Sequence, residues 1–343
     1  MEQRALGSSG TKVSALGLGT MTFGAETGEK EAHRQLDRFV EAGGTFVDTA
    51  DVYTRGASEE ILGNWLAGSS ARDGLVIATK GRFPMGDGPL DRGAGRRHLM
   101  RAIDASLSRL RADHVDLYQV HGWDPETPLE ETLETLDTIV ATGRARHVGW
   151  SNVTGWQMQR IVDRCEMAGW SRPVTLQPQY NLLDRSIELE ILPMCLEEGI
   201  GILPWSPLGG GWLTGKYSPE QRPTGDTRLG EDPERGVEAY DKRNVDRTWD
   251  AIEAVAEIAG ARGVTQAQVA LAWVRQRPGV SSVILGARTV TQLEDNLGSS
   301  ELTLDDDEVS RLTAVTAPGI PPYPHGFLIK QAGFDVWERL GTG

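Results

Sequence analysis

Short apolar or β-branched runs punctuate the chain at "ALGLGT" (15–20), "TFVDT" (45–49), "LVIATK" (75–80), "VDLYQVH" (115–121), "RHVGWSN" (146–152), "VTLQPQY" (174–180), "GILPWS" (201–206) and "SSVILGAR" (281–288). Their length and composition predict eight strands. Between them, residues 29–43, 58–68, 96–112, 129–143, 154–169, 187–199 and 248–263 carry apolar positions at three- and four-residue spacing. Leu99, Ile103, Leu107 and Leu110 form the clearest stripe, and several segments end at Gly, as helices often do. A last helix opens at "GARTVTQLEDN" (286–296). Strands alternating with helices pair in parallel, because each crossover helix returns the chain to the same edge. Eight units fit a closed (β/α)8 barrel, an α/β TIM barrel, taken as a single domain over residues 1–343. The competitor is an open doubly wound sheet. That fold would carry G-x-G-x-x-G after an early strand, and "GLGTMTFG" (17–24) has Thr22 where the third glycine belongs.

Three stretches fall outside the repeat. "RALGSSGTKVSAL" reads as an N-terminal β-hairpin turning at Ser9-Gly10, placed to cover the bottom of a barrel. Residues 82–95 and 207–245 are long, polar, Gly/Pro-rich loops that follow strands. They would lie at the C-terminal face of the strands, where barrel active sites form. The tail beyond Ala317 is Pro-rich and then aromatic, with Tyr323, Phe327, Phe334 and Trp337.

Composition narrows the partners. With 39% hydrophobic and 24% charged residues, the chain has the make-up of a soluble globular protein. A formal charge of −14 argues against nucleic acid and anionic membranes, while a small anion could still enter a locally positive pocket. The start, "MEQRALGSSG", has no apolar core of a secretory signal, and no run of about 18 apolar residues occurs. Only Cys165 and Cys195 are present, without metal-ligand spacing, so a cytoplasmic location is expected. His33, His98, His114, His121, His147 and His325 also lack ligand spacing, and no metal is expected. Oligomeric state is not readable.

In a parallel barrel the strand tips converge on one mouth. Here they supply Asp48, Lys80, His121, Ser151 with Asn152, Gln177, Trp205 with Ser206, and Arg288. A single polar tip is usually a loop solvator or a helix cap, and Asp48 with Tyr53 could be no more than a cap and its packing partner. Seven such tips together favour a site. A phenol with a pKa of about 10 is a poor acid until a nearby cation stabilises its phenolate. Lys80 can supply that charge, Asp48 can hold the ammonium, and His121 can donate to a substrate oxygen. This set suits carbonyl reduction, and since no side chain donates hydride, a cofactor must.

At "GLGTM" (17–21), "DTADVY" (48–53), "ATK" (78–80), "YQVH" (118–121), "GWSN" (149–152), "LQPQYNLL" (176–183), "PWSPLGGGWLTGKY" (204–217) and "LGARTVTQLEDN" (285–296), the chain resembles the aldo-keto reductase family over nearly its whole length. The resemblance implies a (β/α)8 barrel that binds NADP(H) without a Rossmann domain. It makes Tyr53 the acid/base, Lys80 its partner, Asp48 the anchor of Lys80, and His121 the group that orients the carbonyl. It also assigns Gly19, Thr20, Met21, Leu208 and Gly286 to the cofactor, with Ser151, Asn152 and Gln177 on the nicotinamide carboxamide. Trp205 stands where the family places a stacking aromatic, often Tyr.

The phosphates have their own candidates. Gly210 to Lys216 satisfies the first seven positions of a P-loop, but Tyr217 replaces the hydroxyl that would hold Mg²⁺, and no convincing helix follows. The same glycines can bring backbone N–H groups close to a pyrophosphate, with Lys216 as a cation. By resemblance, the loop from Ser206 onward does this. Arg288, at the opening of the last helix, can grip a 2′-phosphate in a forked geometry, which favours NADPH over NADH. Gln292, Asp295 and Asn296 match the adenosine-binding positions, although the family often has Glu where Asp295 stands. Phe23 and Trp123 are expected to line a mouth that takes an uncharged aldehyde or ketone. Two other readings stand beside this one. The first is a non-catalytic NADP(H)-binding sensor or subunit. The second is an isomerase or lyase using Lys80 as a Schiff base.

Overall fold

The computed structural model describes residues 1–332 apart from 226, 233 and 235; Phe334 and Trp337 lie outside the described residues. Ten strands occur among the described residues: β1 (Gln3–Ala5), β2 (Lys12–Ser14), β3 (Leu16–Gly19), β4 (Phe46–Asp48), β5 (Val76–Gly81), β6 (Val115–Val120), β7 (Ala145–Ser151), β8 (Pro173–Gln177), β9 (Gly201–Ile202) and β10 (Val283–Leu285). The first two form the expected antiparallel hairpin. The other eight form one parallel sheet in the order β10-β3-β4-β5-β6-β7-β8-β9. Its two ends meet: Ile202 N donates to Gly279 O at 2.8 Å, Ser281 N to Ile202 O at 2.9 Å, and Ile284 N to Pro204 O at 3.0 Å. These bonds close the sheet into the barrel that the strand–helix alternation implies.

The barrel interior is layered because successive strand residues alternate between faces. Phe46, Ala78, Leu117, Val174, Leu203 and Ile284 form one buried apolar cluster, and Leu6 and Val13 of the hairpin region complete it from below. Gly7 belongs to this floor, since a Cβ there would run into the Val174 carbonyl. His147 ties the hairpin to β7 through a 3.0 Å contact between its Nε2 and Thr11 Oγ1. Two residues beyond Phe46, Ala78 and Leu117, on the same inward face, stand Asp48, Lys80 and Gln119. A polar layer therefore caps an apolar one.

Helices Glu29–Glu41, Ala57–Gly68, Arg96–Leu110, Leu129–Ala141, Gly155–Ala168 and Asp246–Arg262 follow the sequence pattern closely. The segment 187–199 is helical only over Ile191–Glu197, after a 3-10 turn at Ser186–Glu188. Pro193 accounts for the late start. It is tolerated in a first turn, where its missing N–H costs nothing, and would disrupt a helix begun at 187. Two ten-residue helices, Gln266–Arg275 and Asp306–Val315, are not apparent from periodicity, nor are the shorter Arg228–Glu231, Tyr240–Arg243 and Phe327–Ala332. Eight of the ten residues of Gln266–Arg275 are buried, so it has no polar face to set up an amphipathic stripe. No described helix is long and apolar enough to cross a membrane.

Candidate functional site

The polar layer at the strand tips is one hydrogen-bonded unit. Lys80 Nζ lies 2.5 Å from Asp48 Oδ2, 2.8 Å from Thr49 O and 3.3 Å from the Tyr53 hydroxyl. The other carboxylate oxygen, Oδ1, accepts from Gln177 Nε2 at 2.9 Å and Gln119 Nε2 at 3.2 Å. Asp48 and Lys80 are buried, so neither charge could persist without the other. Thr20 also serves this unit: its backbone N–H and hydroxyl both donate to Asp48 O, and its hydroxyl meets Ser58 Oγ at 2.7 Å.

Tyr53 reaches the same point from a 3-10 turn just beyond β4. Its ring meets the His121 imidazole edge-on, with centroids 5.8 Å apart, and Phe83 covers His121 at 4.5 Å. Burial lifts the Tyr53 phenol above its ordinary pKa; Lys80 pulls it down, as expected of a cation, but does not outweigh burial. The phenol is therefore held protonated. For Lys80, burial opposes the charged form, yet Asp48 and then Tyr53 raise its pKa above the ordinary value. Burial, with Lys80 and Arg82 nearby, depresses the His121 pKa to about 2. His121 is a neutral imidazole, and its Nδ1 has no hydrogen-bond partner among the described residues.

The mouth is also where the backbone is strained. Arg82 (φ 126°), Asn152 (φ 55°) and Ser206 (φ 51°) each sit in positive-φ conformations just past a strand run. Such conformations cluster where a surrounding structure must aim particular groups. Asn152 Nδ2 donates to His121 O at 3.0 Å and its Oδ1 accepts from Trp205 Nε1 at 3.1 Å. Ser151 Oγ donates to Gln177 O at 2.8 Å. The three candidate carboxamide-binding residues and Trp205 are thus brought to one side of the Asp48–Lys80 pair, already linked to each other. Met21 is 37% exposed at the rim.

Some expected residues sit elsewhere. Phe23 does not line the mouth: its ring is fully buried in the main core outside the strands, because the turn at residues 20–23 folds it inward. Trp123 is half-buried two residues beyond His121, against Trp150 at 6.3 Å and the exposed Trp156 at 5.8 Å. Asp295 faces the neighbouring helix, accepting from Thr265 Oγ1 at 3.2 Å and Gln268 Nε2 at 3.1 Å. Asn296 is buried and donates to Gly286 O at 3.2 Å, while Gln292 Oε1 accepts from Arg288 N at 2.8 Å. Gly19 packs against Ile284, where a Cβ would have no room; at Gly286 the same position is open space.

The glycine loop is not a P-loop in conformation. Gly209–Thr214 is a 3-10 turn with Gly209, Gly210 and Gly211 all at positive φ. Gly210 N donates to Ser206 Oγ at 3.2 Å, Leu208 is half-buried, and the Lys216 ammonium lies across Gly211. Residues 207–245 contribute two groups that sequence reasoning did not single out. Glu238 accepts from Ser206 Oγ, and a Cβ on Gly210 would meet its carboxylate. Glu231 takes both arms of the Arg288 guanidinium at 2.9 and 2.8 Å, with Glu26 3.7 Å away. For a phosphate-bearing dinucleotide this is a direct test of fit, since carboxylates already sit on the donors expected to take its phosphates. Gln119 was also missed, although it lies two residues before His121 on one strand and so shares its face.

The sequence profile of the aldo/keto reductase family matches residues 15–317, and the chain belongs to that family. It is 36% identical to the uncharacterized oxidoreductase YrpG of Bacillus subtilis (strain 168), over 93% of this chain and 97% of the relative. Norsolorinic acid reductase stcV of Emericella nidulans is 33% identical, over 94% of this chain and 83% of the relative. A probable voltage-gated potassium channel subunit beta of Arabidopsis thaliana is 37% identical, over 87% and 90%. The family is one of oxidoreductases that generally work with a nicotinamide cofactor.

Proposed function

We propose that the protein is an NADPH-dependent reductase that interconverts an aldehyde or ketone and the corresponding alcohol. The observation that carries this reading is the buried chain from Asp48 through Lys80 to the Tyr53 hydroxyl. Bound NADPH would supply hydride to the carbonyl carbon. Tyr53 Oη delivers the proton to the carbonyl oxygen, and the Lys80 ammonium stabilises the phenolate that remains. Asp48 keeps that ammonium charged and aimed. The neutral imidazole of His121 donates a hydrogen bond to the same carbonyl oxygen without acting as the acid. Ser151, Asn152 and Gln177 hold the nicotinamide amide, Trp205 supplies a flat face for the ring, and Trp123 forms part of an apolar substrate wall. Ser206, Gly210 and Lys216 take the pyrophosphate, and Arg288 takes the 2′-phosphate.

The deciding experiment follows loss of reduced-nicotinamide absorbance with NADPH or NADH and a panel of aromatic and aliphatic aldehydes. Turnover that favours NADPH is expected. Arg288→Ala should weaken NADPH far more than NADH, and equal losses would remove the basis for the preference. The relative named as a potassium channel subunit supports a second reading, a non-catalytic NADP(H)-binding subunit. Tight NADPH binding with no turnover on any carbonyl would select it.

A further inference from the structure

Two glutamates of the segment between β9 and β10 occupy the groups that the proposed function gives to the cofactor's phosphates. The Glu231 carboxylate meets the Arg288 guanidinium as a matched pair of parallel hydrogen bonds, at 2.9 and 2.8 Å. An arginine fork grips a carboxylate and a phosphate with the same geometry, so the two compete for one set of donors. Glu238 does the equivalent at the glycine loop, accepting from Ser206 Oγ beside Gly210. It is seated there, not passing: the residue is only 4% exposed, and its carbonyl accepts from Trp212 Nε1 at 2.9 Å. Trp212 in turn packs on Tyr217, Tyr240 and Trp249 within 5.6 Å between ring centroids. Both contacts join elements far apart in sequence, and both put a negative charge where a second one must enter.

We propose that Glu231 and Glu238 are internal competitors of the cofactor, and that Glu231 is a determinant of the choice between NADPH and NADH. The inference rests on the assignment of Ser206, Gly210 and Arg288 to the phosphates. NADPH must take Arg288 from Glu231, whereas NADH has no group to place there. Glu231 therefore lowers affinity for NADPH alone and narrows the preference that Arg288 creates. Glu238 must leave Ser206 for either cofactor's pyrophosphate, so it lowers both affinities alike.

The test is titration of the full chain with NADPH and with NADH, followed by quenching of tryptophan fluorescence at one fixed salt concentration. Glu231→Gln should tighten NADPH about fivefold, the worth of a partly exposed ion pair, and leave NADH unchanged. Glu238→Gln should tighten both by a similar factor. Unchanged or weaker NADPH binding by Glu231→Gln overturns the proposal. Glu231 is partly exposed, so its variant decides the matter even where Glu238→Gln disturbs the buried cluster. Arg288→Ala separates the two levels. If it binds both cofactors as the parent does, the assignment of Arg288 fails; if it loses NADPH while Glu231→Gln gains nothing, only the competition fails.

Discussion

Asp48 is held by three donors on two oxygens: Lys80 on one, Gln119 and Gln177 on the other. That crowding explains how one carboxylate can orient a fully buried ammonium, which in turn reaches Tyr53. Removing the hydroxyl alone should leave this scaffold standing. Tyr53→Phe is expected to lower turnover about 10²–10⁴-fold while NADPH affinity, measured by fluorescence, stays near the parent value. Comparable activity in that variant would reject Tyr53 as the acid. His121 makes a different prediction. With its pKa near 2 it is neutral throughout ordinary assay conditions, so no step in the kcat profile between pH 5 and 9 should disappear in His121→Asn. Loss of such a step would identify His121 as the titrating group.

At the scale of elements, the strand–helix repeat was legible because hydropathy period is a local property. The hairpin and its place at the bottom of the barrel were legible too; which of its side chains do the sealing was not. Leu6 and Val13 seal the barrel floor against six inward-facing residues drawn from Phe46 to Ile284. Leu6→Ala would leave a cavity that no neighbour can fill without moving strands, and should cost about 2–5 kcal/mol in urea unfolding. A loss below 1 kcal/mol would mean that the hairpin is an appendage instead of a plug. Helix Gln266–Arg275 marks the opposite limit. Being buried nearly all round, it carries no stripe to read, whereas the Asp305–Glu308 capping box before Asp306–Val315 was a readable signal that periodicity alone passes over.

Across the whole molecule, buried ionisable groups tie stability to pH. Both oxygens of Asp51 are buried and neither forms a well-aligned hydrogen bond among the described residues; its pKa is raised to about 7, mainly by burial and then by Glu59, with the Val52 backbone N–H, Arg109 and Lys80 opposing. A carboxyl whose folded pKa lies above its unfolded one binds more protons when folded. Stability from this group is therefore complete below about pH 4 and is lost as pH rises to about 7. His121, with its depressed pKa, works the other way, losing stability as pH falls below about 6.5. Asp51→Asn should match the parent at pH 4 and exceed its stability at pH 8, by up to about 4 kcal/mol. A difference between variant and parent that does not change with pH would show that Asp51 stays ionised in the fold.

By itself the sequence determined the repeat, the parallel barrel and the residue types at the strand tips. Each depends on spacing along a few consecutive positions: a period of two sends Asp48, Lys80 and Gln119 inward, and a strand end brings them to one face. Only the tertiary structure decided which tips meet. Gln177 turns to Asp48, 129 residues away, because closure of the barrel sets β8 facing β4 across the mouth. Phe23 is buried because one turn folds inward, a choice that its apolar character permits but does not compel. Asp295 is drawn off by Thr265 and Gln268 of a helix whose position no local pattern encodes. Glu231 and Glu238 look in sequence like ordinary acids of a polar loop. Their pairing with Arg288 and Ser206 arises because charge in a folded chain seeks the nearest compatible group in space, and distance in space is what the order of residues leaves unstated.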